Sequence, residues 1–117
     1  MGINSYTVVN LITSAAAKQY VAEGPVNLTT GTPVRLSATS RLVTQVEIYG
    51  YSSIGMNTIP VANAGACLVD AAGSGLFETL PAGGKIVFKP PGGTALDLFN
   101  LTILGTTGDK VYFKYLA

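Results

Sequence analysis

Apolar and polar positions alternate with a period of two along several short stretches of the chain. In Val111 to Leu116, Val111, Phe113 and Tyr115 fall on one side and Tyr112, Lys114 and Leu116 on the other. Lys85 to Lys89 repeats this, with Ile86 and Phe88 facing one way and Lys85, Val87 and Lys89 the other. From Arg41 to Tyr51 the alternation puts Leu42, Thr44, Val46 and Ile48 on one face; Arg41, Val43, Gln45, Glu47 and Tyr49 share the second. Pro33 to Ala38 sets Val34, Leu36 and Ala38 against Arg35 and Ser37. Alternation rich in β-branched and aromatic residues predicts half-buried strands. Leu96 to Leu104 is apolar but alternates poorly. Leu98 and Leu101 lie three apart, so a bend or bulge near Phe99 and Asn100 is expected to turn both inward.

Turn residues punctuate these runs. Gly31-Thr32-Pro33, Ser52-Ser53-Ile54-Gly55, Gly73-Ser74-Gly75, Pro81-Ala82-Gly83-Gly84, Pro90-Pro91-Gly92-Gly93 and Thr107-Gly108-Asp109 all read as turns. Short strands at this spacing indicate a β-sandwich or barrel. The best helix candidate is a turn or two around Thr13 to Tyr20, which contains Ala15, Ala16 and Ala17. Ahead of the strand-and-turn region stand the apolar residues Ile3, Tyr6, Val8, Val9, Leu11 and Ile12. Such a segment must be buried somewhere. Either it supplies a first strand of the domain, or it reaches out as an arm onto a neighbouring subunit by strand addition or exchange. Residues 1–27 are therefore set apart as arm or first strand, and 28–117 as the sandwich domain.

Composition narrows the chemistry. At 117 residues the chain fits one domain. Charged residues make up 11%, against about 25% in a typical soluble domain. That low charge, with 48% hydrophobic residues, excludes intrinsic disorder. The net charge of +1 gives no electrostatic footprint for nucleic acid or an anionic membrane. Histidine is absent, which removes the commonest general base and the commonest neutral metal ligand.

The acidic residues Glu23, Glu47, Asp70, Glu78, Asp97 and Asp109 form no short-range pair on a strand face and read as solvated strand ends and turns. No calcium-loop pattern occurs. Gly83-Gly84-Lys85 lacks the glycine at 79 and the hydroxyl residue at 86 that a phosphate loop needs; Thr79 and Ile86 stand there. The lone Cys67 permits no intrachain disulfide and reads as a small buried residue. The expectation is a non-enzyme with no cofactor, no metal and no small-molecule substrate.

Met1 to Ala17 lacks the basic start and unbroken apolar stretch of a secretory signal. The charge-free run from Ile48 to Val69 is broken by Gly50, Gly55, Pro60 and Gly65, so it is not read as a membrane helix. Tyr49 and Tyr51 are exposed strand tyrosines, expected to pair across strands rather than to stack on bases or sugars; Tyr112 is a further outward aromatic.

From Thr29 to Ala117 the order of elements resembles small virion proteins of tailed bacteriophages, capsid decoration (cement) proteins among them. Gly31-Thr32-Pro33-Val34-Arg35-Leu36-Ser37-Ala38 looks like the opening strand of that pattern, and Val43 to Gly50 like the second. Leu80-Pro81-Ala82-Gly83-Gly84-Lys85-Ile86-Val87-Phe88 is similar to its LxAGxSVxF hairpin. Asp97 to Val111 is similar to its closing DLSDLYVxGTAGDxV segment. Met56 to Asn63 departs from the pattern, replacing an aromatic and a glycine.

The resemblance implies an all-β, jelly-roll-like antiparallel sandwich with an N-terminal arm. It implies a protein made in the host cytoplasm and placed on the capsid surface of the virion, where it clamps the major capsid protein as a dimer or trimer. Interface candidates are the arm residues Ile3, Tyr6, Val8, Val9, Leu11 and Ile12 and the tyrosines Tyr49, Tyr51 and Tyr112. A neck, tail or head-fibre component is the alternative within the same class. A carbohydrate-binding host-recognition module is the alternative from another class; it would need a concave aromatic patch, with no tryptophan to build it.

Overall fold

A computed structural model describes residues 20–55, 58–71, 77–92 and 94–117. The strands are β1 (Val21–Asn27), β2 (Val34–Arg35), β3 (Leu42–Val43), β4 (Gln45–Tyr49), β5 (Tyr51–Gly55) and β6 (Thr58–Ala62). They continue with β7 (Cys67–Ala71), β8 (Phe77–Leu80), β9 (Lys85–Phe88), β10 (Leu96–Asp97), β11 (Leu101–Leu104) and β12 (Lys110–Leu116). One four-stranded sheet has the order β1-β12-β4-β9 and a second the order β2-β11-β7-β8. Two-stranded ribbons β10-β3 and β5-β6 complete the chain. Among the described residues every pairing between these strands is antiparallel, so the fold is all-β, as the alternation predicts.

Burial follows the pleat. On β12, Val111, Phe113 and Tyr115 are buried while Tyr112, Lys114 and Leu116 stay half-exposed. Opposite them on β4, Val46 and Ile48 are fully buried. The second sheet answers with Cys67, Val69, Leu80, Leu101 and Ile103, and both sets belong to one core. Full burial of each such side chain contributes about 1.5–3 kcal/mol. The bend expected near Phe99 is a 3-10 turn over Leu98–Asn100, which leaves Leu98 and Leu101 both fully buried. Asp97 caps it by accepting the Phe99 N–H at 3.0 Å. It also accepts the Arg41 N–H at 2.8 Å, tying the β2–β3 connection to the turn.

Several expectations are corrected. Arg41 to Tyr51 is not one strand. Leu42 is 64% exposed and Val43 1%, so Val43, not Leu42, shares the core with Val46 and Ile48. The phase slips at Thr44, whose N–H leaves the β3 pairing to reach the Leu116 carbonyl at 2.7 Å; β3 pairs with β10, and β4 with β12. Ala38 is exposed, while Ser37 is buried with its hydroxyl donating to the Thr39 carbonyl at 2.8 Å. Ser52 to Gly55 is strand β5, not a turn. Three of the six acids are buried rather than solvated: Glu47, Asp70 and Asp109. Asp109 accepts the N–H groups of Ala64 and Gly65, so its carboxylate holds a loop.

Val21–Asn27 pairs with β12 and belongs to the first sheet. The arm candidates Ile3, Tyr6, Val8, Val9, Leu11 and Ile12, the helix proposed up to Gln19 and the Gly73-Ser74-Gly75 turn lie outside the described residues.

Candidate functional site

The outer face of the β1-β12-β4-β9 sheet holds an open groove of about 430 Å³. Its lining gathers all three tyrosines singled out in the sequence, Tyr49, Tyr51 and Tyr112, with Ile54, Ala22 and Gly24. Two local features bring them together. Tyr49 lies directly opposite Tyr112 on β4 and β12, the cross-strand pairing expected of it, while Tyr51 stands opposite Ala62. Gly50 then lets the chain pass close against the β8–β9 turn on its way into β5. A Cβ there would stand 2.7 Å from the Pro81 carbonyl oxygen. That carries Tyr51 and Ile54 over the face, and the Tyr51 hydroxyl anchors the ribbon by donating to the Gly83 carbonyl at 2.9 Å.

The floor depends on β1. Pairing between β1 and β12 breaks between Glu23 and Val26. Gly24 sits in that break with φ +131°, and a Cβ on it would fall 2.8 Å from the Tyr112 ring. The open space is therefore kept by the absence of a side chain.

Beside the groove lies a polar cluster centred on Glu47, which is only 7% exposed. Its carboxylate accepts the Tyr49 hydroxyl at 2.9 Å and Lys85 Nζ at 3.3 Å. The Tyr49 hydroxyl, then Tyr20 and Lys85, hold the Glu47 carboxyl below the usual carboxylate range despite its burial. Lys114 is raised, chiefly by its bond to Tyr49. Its Nζ lies 4.9 Å from the centre of the Tyr20 ring. Gln45 Nε2 donates to the Tyr20 hydroxyl at 2.8 Å. Burial, with Glu47 nearby, raises Tyr20.

Glu47, Lys85 and Lys114 are thus engaged with the Tyr20 and Tyr49 side chains and with one another. Among the described residues no buried side-chain polar atom lacks a partner, and no group of three or more acidic or cysteine residues could hold a metal. What the arrangement offers is apolar ring surface beside a neutralised polar cluster. Elsewhere on the β5-β6 ribbon, Ile59, 87% exposed, and Val61 also face water.

A smaller hollow of about 260 Å³ lies between β1 and the β2–β3 connection. Arg41 there donates to Glu23 and, at 2.9 Å, to the Tyr115 hydroxyl, so its cation is already satisfied.

Sequence reading found the tyrosines but not Ile54, Gly24 or the Glu47 cluster. Gly24-Pro25 inside an otherwise strand-like run was the available signal, since that pair marks a bulge. Ile54 was hidden because Ser52 to Gly55 reads as a turn. Comparison of the chain with protein-family models, curated proteins and solved structures returned no match.

Proposed function

We propose that the chain is a non-enzymatic structural protein of a tailed-bacteriophage virion, a decoration protein that sits on the capsid surface and reinforces the shell of major capsid protein. The observation that carries this reading is the groove just described: the rings of Tyr49, Tyr51 and Tyr112 with Ile54, open to water next to charges that are already engaged. An apolar surface of this kind is suited to being covered by other subunits. The strand orders add support. In the two main sheets, taken as eight strands in chain order, they run 1-8-3-6 and 2-7-4-5. We read this as a jelly roll, an architecture used in viral capsid and lectin domains. A shell contact of about 1,000 Å² per copy would count as a specific interface, and many symmetry-related copies add avidity.

The experiment compares particles with and without the protein. Particles lacking it should assemble but break sooner on heating or at low salt, and adding the protein back should restore survival. Equal survival would sink the reading.

The groove is also the concave aromatic patch that a carbohydrate-binding module requires. Against that use, the Tyr49 and Tyr51 hydroxyls are engaged internally, and of the two charged lining residues Glu23 is paired with Arg41 and Lys114 lies over the Tyr20 ring. Micromolar binding on a glycan array would reverse the order of the two readings.

A further inference from the structure

We propose that the tyrosine groove receives the N-terminal segment of a second copy of this chain. The inference rests on reading this face as an assembly surface, not on the identity of the shell. The groove calls for a neutral, apolar occupant, since the Tyr49 and Tyr51 hydroxyls are bonded within the chain, Glu23 is paired with Arg41 and Lys114 lies over the Tyr20 ring. The chain carries such a segment. Residues 1–17 contain no charged side chain, and Val8, Val9, Leu11 and Ile12 form a dense apolar run.

The position of Tyr20 decides between the chain's own groove and a neighbour's. Tyr20 lies on this same face, held by Gln45, and β1 continues from it to form one wall at Ala22 and Gly24. Strand β1 therefore runs from Tyr20 towards the groove, so a chain end returning to its own groove would have to reverse ahead of Tyr20. Ala15 to Gln19 offers no glycine, proline, asparagine or aspartate to reverse the chain over its own sheet. Nineteen residues precede Tyr20, a reach of about 60 Å when extended, which is ample for a neighbouring copy. Exchange of such segments between copies builds closed symmetric oligomers.

The test uses the full chain. Val9→Cys protein is mixed with Ile54→Cys protein under oxidised glutathione. Cys67 is 1% exposed, so the introduced thiols are the ones that react. The expected product is a mixed disulfide dimer, formed at least about ten-fold faster than when Leu42→Cys replaces Ile54→Cys. Equal rates at the two sites would overturn the proposal. So would a Val9→Cys/Ile54→Cys double variant that closes only within one chain, which would give the segment to its own groove.

Sedimentation velocity is the second measurement, and it needs no cysteine. Val9→Lys and Ile54→Lys should each reduce self-association, and Leu42→Lys should not. An unsubstituted chain that stays monomeric throughout would also overturn the proposal. Particle survival reports the shell reading separately. A chain that cross-links yet fails to protect particles refutes the shell alone, and one that protects without cross-linking refutes the groove alone.

Discussion

The two main sheets have outward faces of different character. On β1-β12-β4-β9 the outward positions carry Tyr112, Tyr49, Lys114, Glu47 and Val87, with a ribbon folded over them to make a groove. On β2-β11-β7-β8 they carry Arg35, Thr102, Leu68 and Thr79, with Phe77 near the edge. Arg35 stacks 4.0 Å from the Phe99 ring centre and donates to the Phe99 carbonyl at 2.6 Å, so its interactions stay local. Both faces alternate with the same core. The difference lies in what sits above them, and it teaches that a face becomes a site through the elements that overhang it.

The largest effect expected from breaking this contrast is at Gly24. Gly24→Val should destabilise the chain by about 2–3 kcal/mol, because it meets Tyr112 and demands φ +131°. On the opposite face Thr79→Val should stay within about 0.5 kcal/mol. Urea unfolding of the two variants gives the comparison directly.

Next comes Tyr49→Phe, which removes the hydroxyl donor to the buried Glu47 carboxylate. A loss of about 1–2 kcal/mol is expected, while Thr102→Val should cost little. A third test uses pH. The Glu47 carboxyl is depressed in the folded state, so its contribution is present above the ordinary carboxylate range and is lost as pH falls through the folded value. Melting temperature should therefore fall on acidification. Glu47→Gln should flatten that fall, and an unchanged acid limb would remove Glu47 from the account. Asp97, depressed by Ser40 and by the Arg41 and Phe99 N–H groups, adds the same sign and should remain in the variant. The smallest effect is on the second face: Arg35→Lys should cost about 0.5–1 kcal/mol by losing the stacked guanidinium.

The sequence was legible where one period ran without interruption. Val111 to Leu116 and Lys85 to Phe88 show in the fold the faces read from the chain. Leu98 and Leu101 were placed correctly because two buried leucines three apart allow few solutions. Leu42 was misplaced for the complementary reason. The slip at Thr44 comes from a bond to Leu116, more than seventy residues away, and no local pattern carries it. Strand β5 reads as a turn because Ser52, Ser53 and Gly55 favour turns; it is its pairing with β6 that makes it a strand. Glu47 occupies an outward position in a regular alternation, and only the assembled tyrosines around it bury it. The groove was half legible: its aromatic residues follow from β4 and β12, but its walls come from a bulge and a ribbon.

Cys67 sits against Gly105 and Leu28, where a Cβ on Gly105 would be 3.3 Å from its sulfur and 2.5 Å from the Leu28 side chain. Burial, with Asp109 nearby, pushes its thiol pKa up, so the native thiol is both shielded and weakly nucleophilic. The chain has one cysteine, at the start of a central strand of the second sheet. Labelling of Cys67 by a thiol reagent must therefore wait for that strand to open, which gives the protein an internal clock for its own opening.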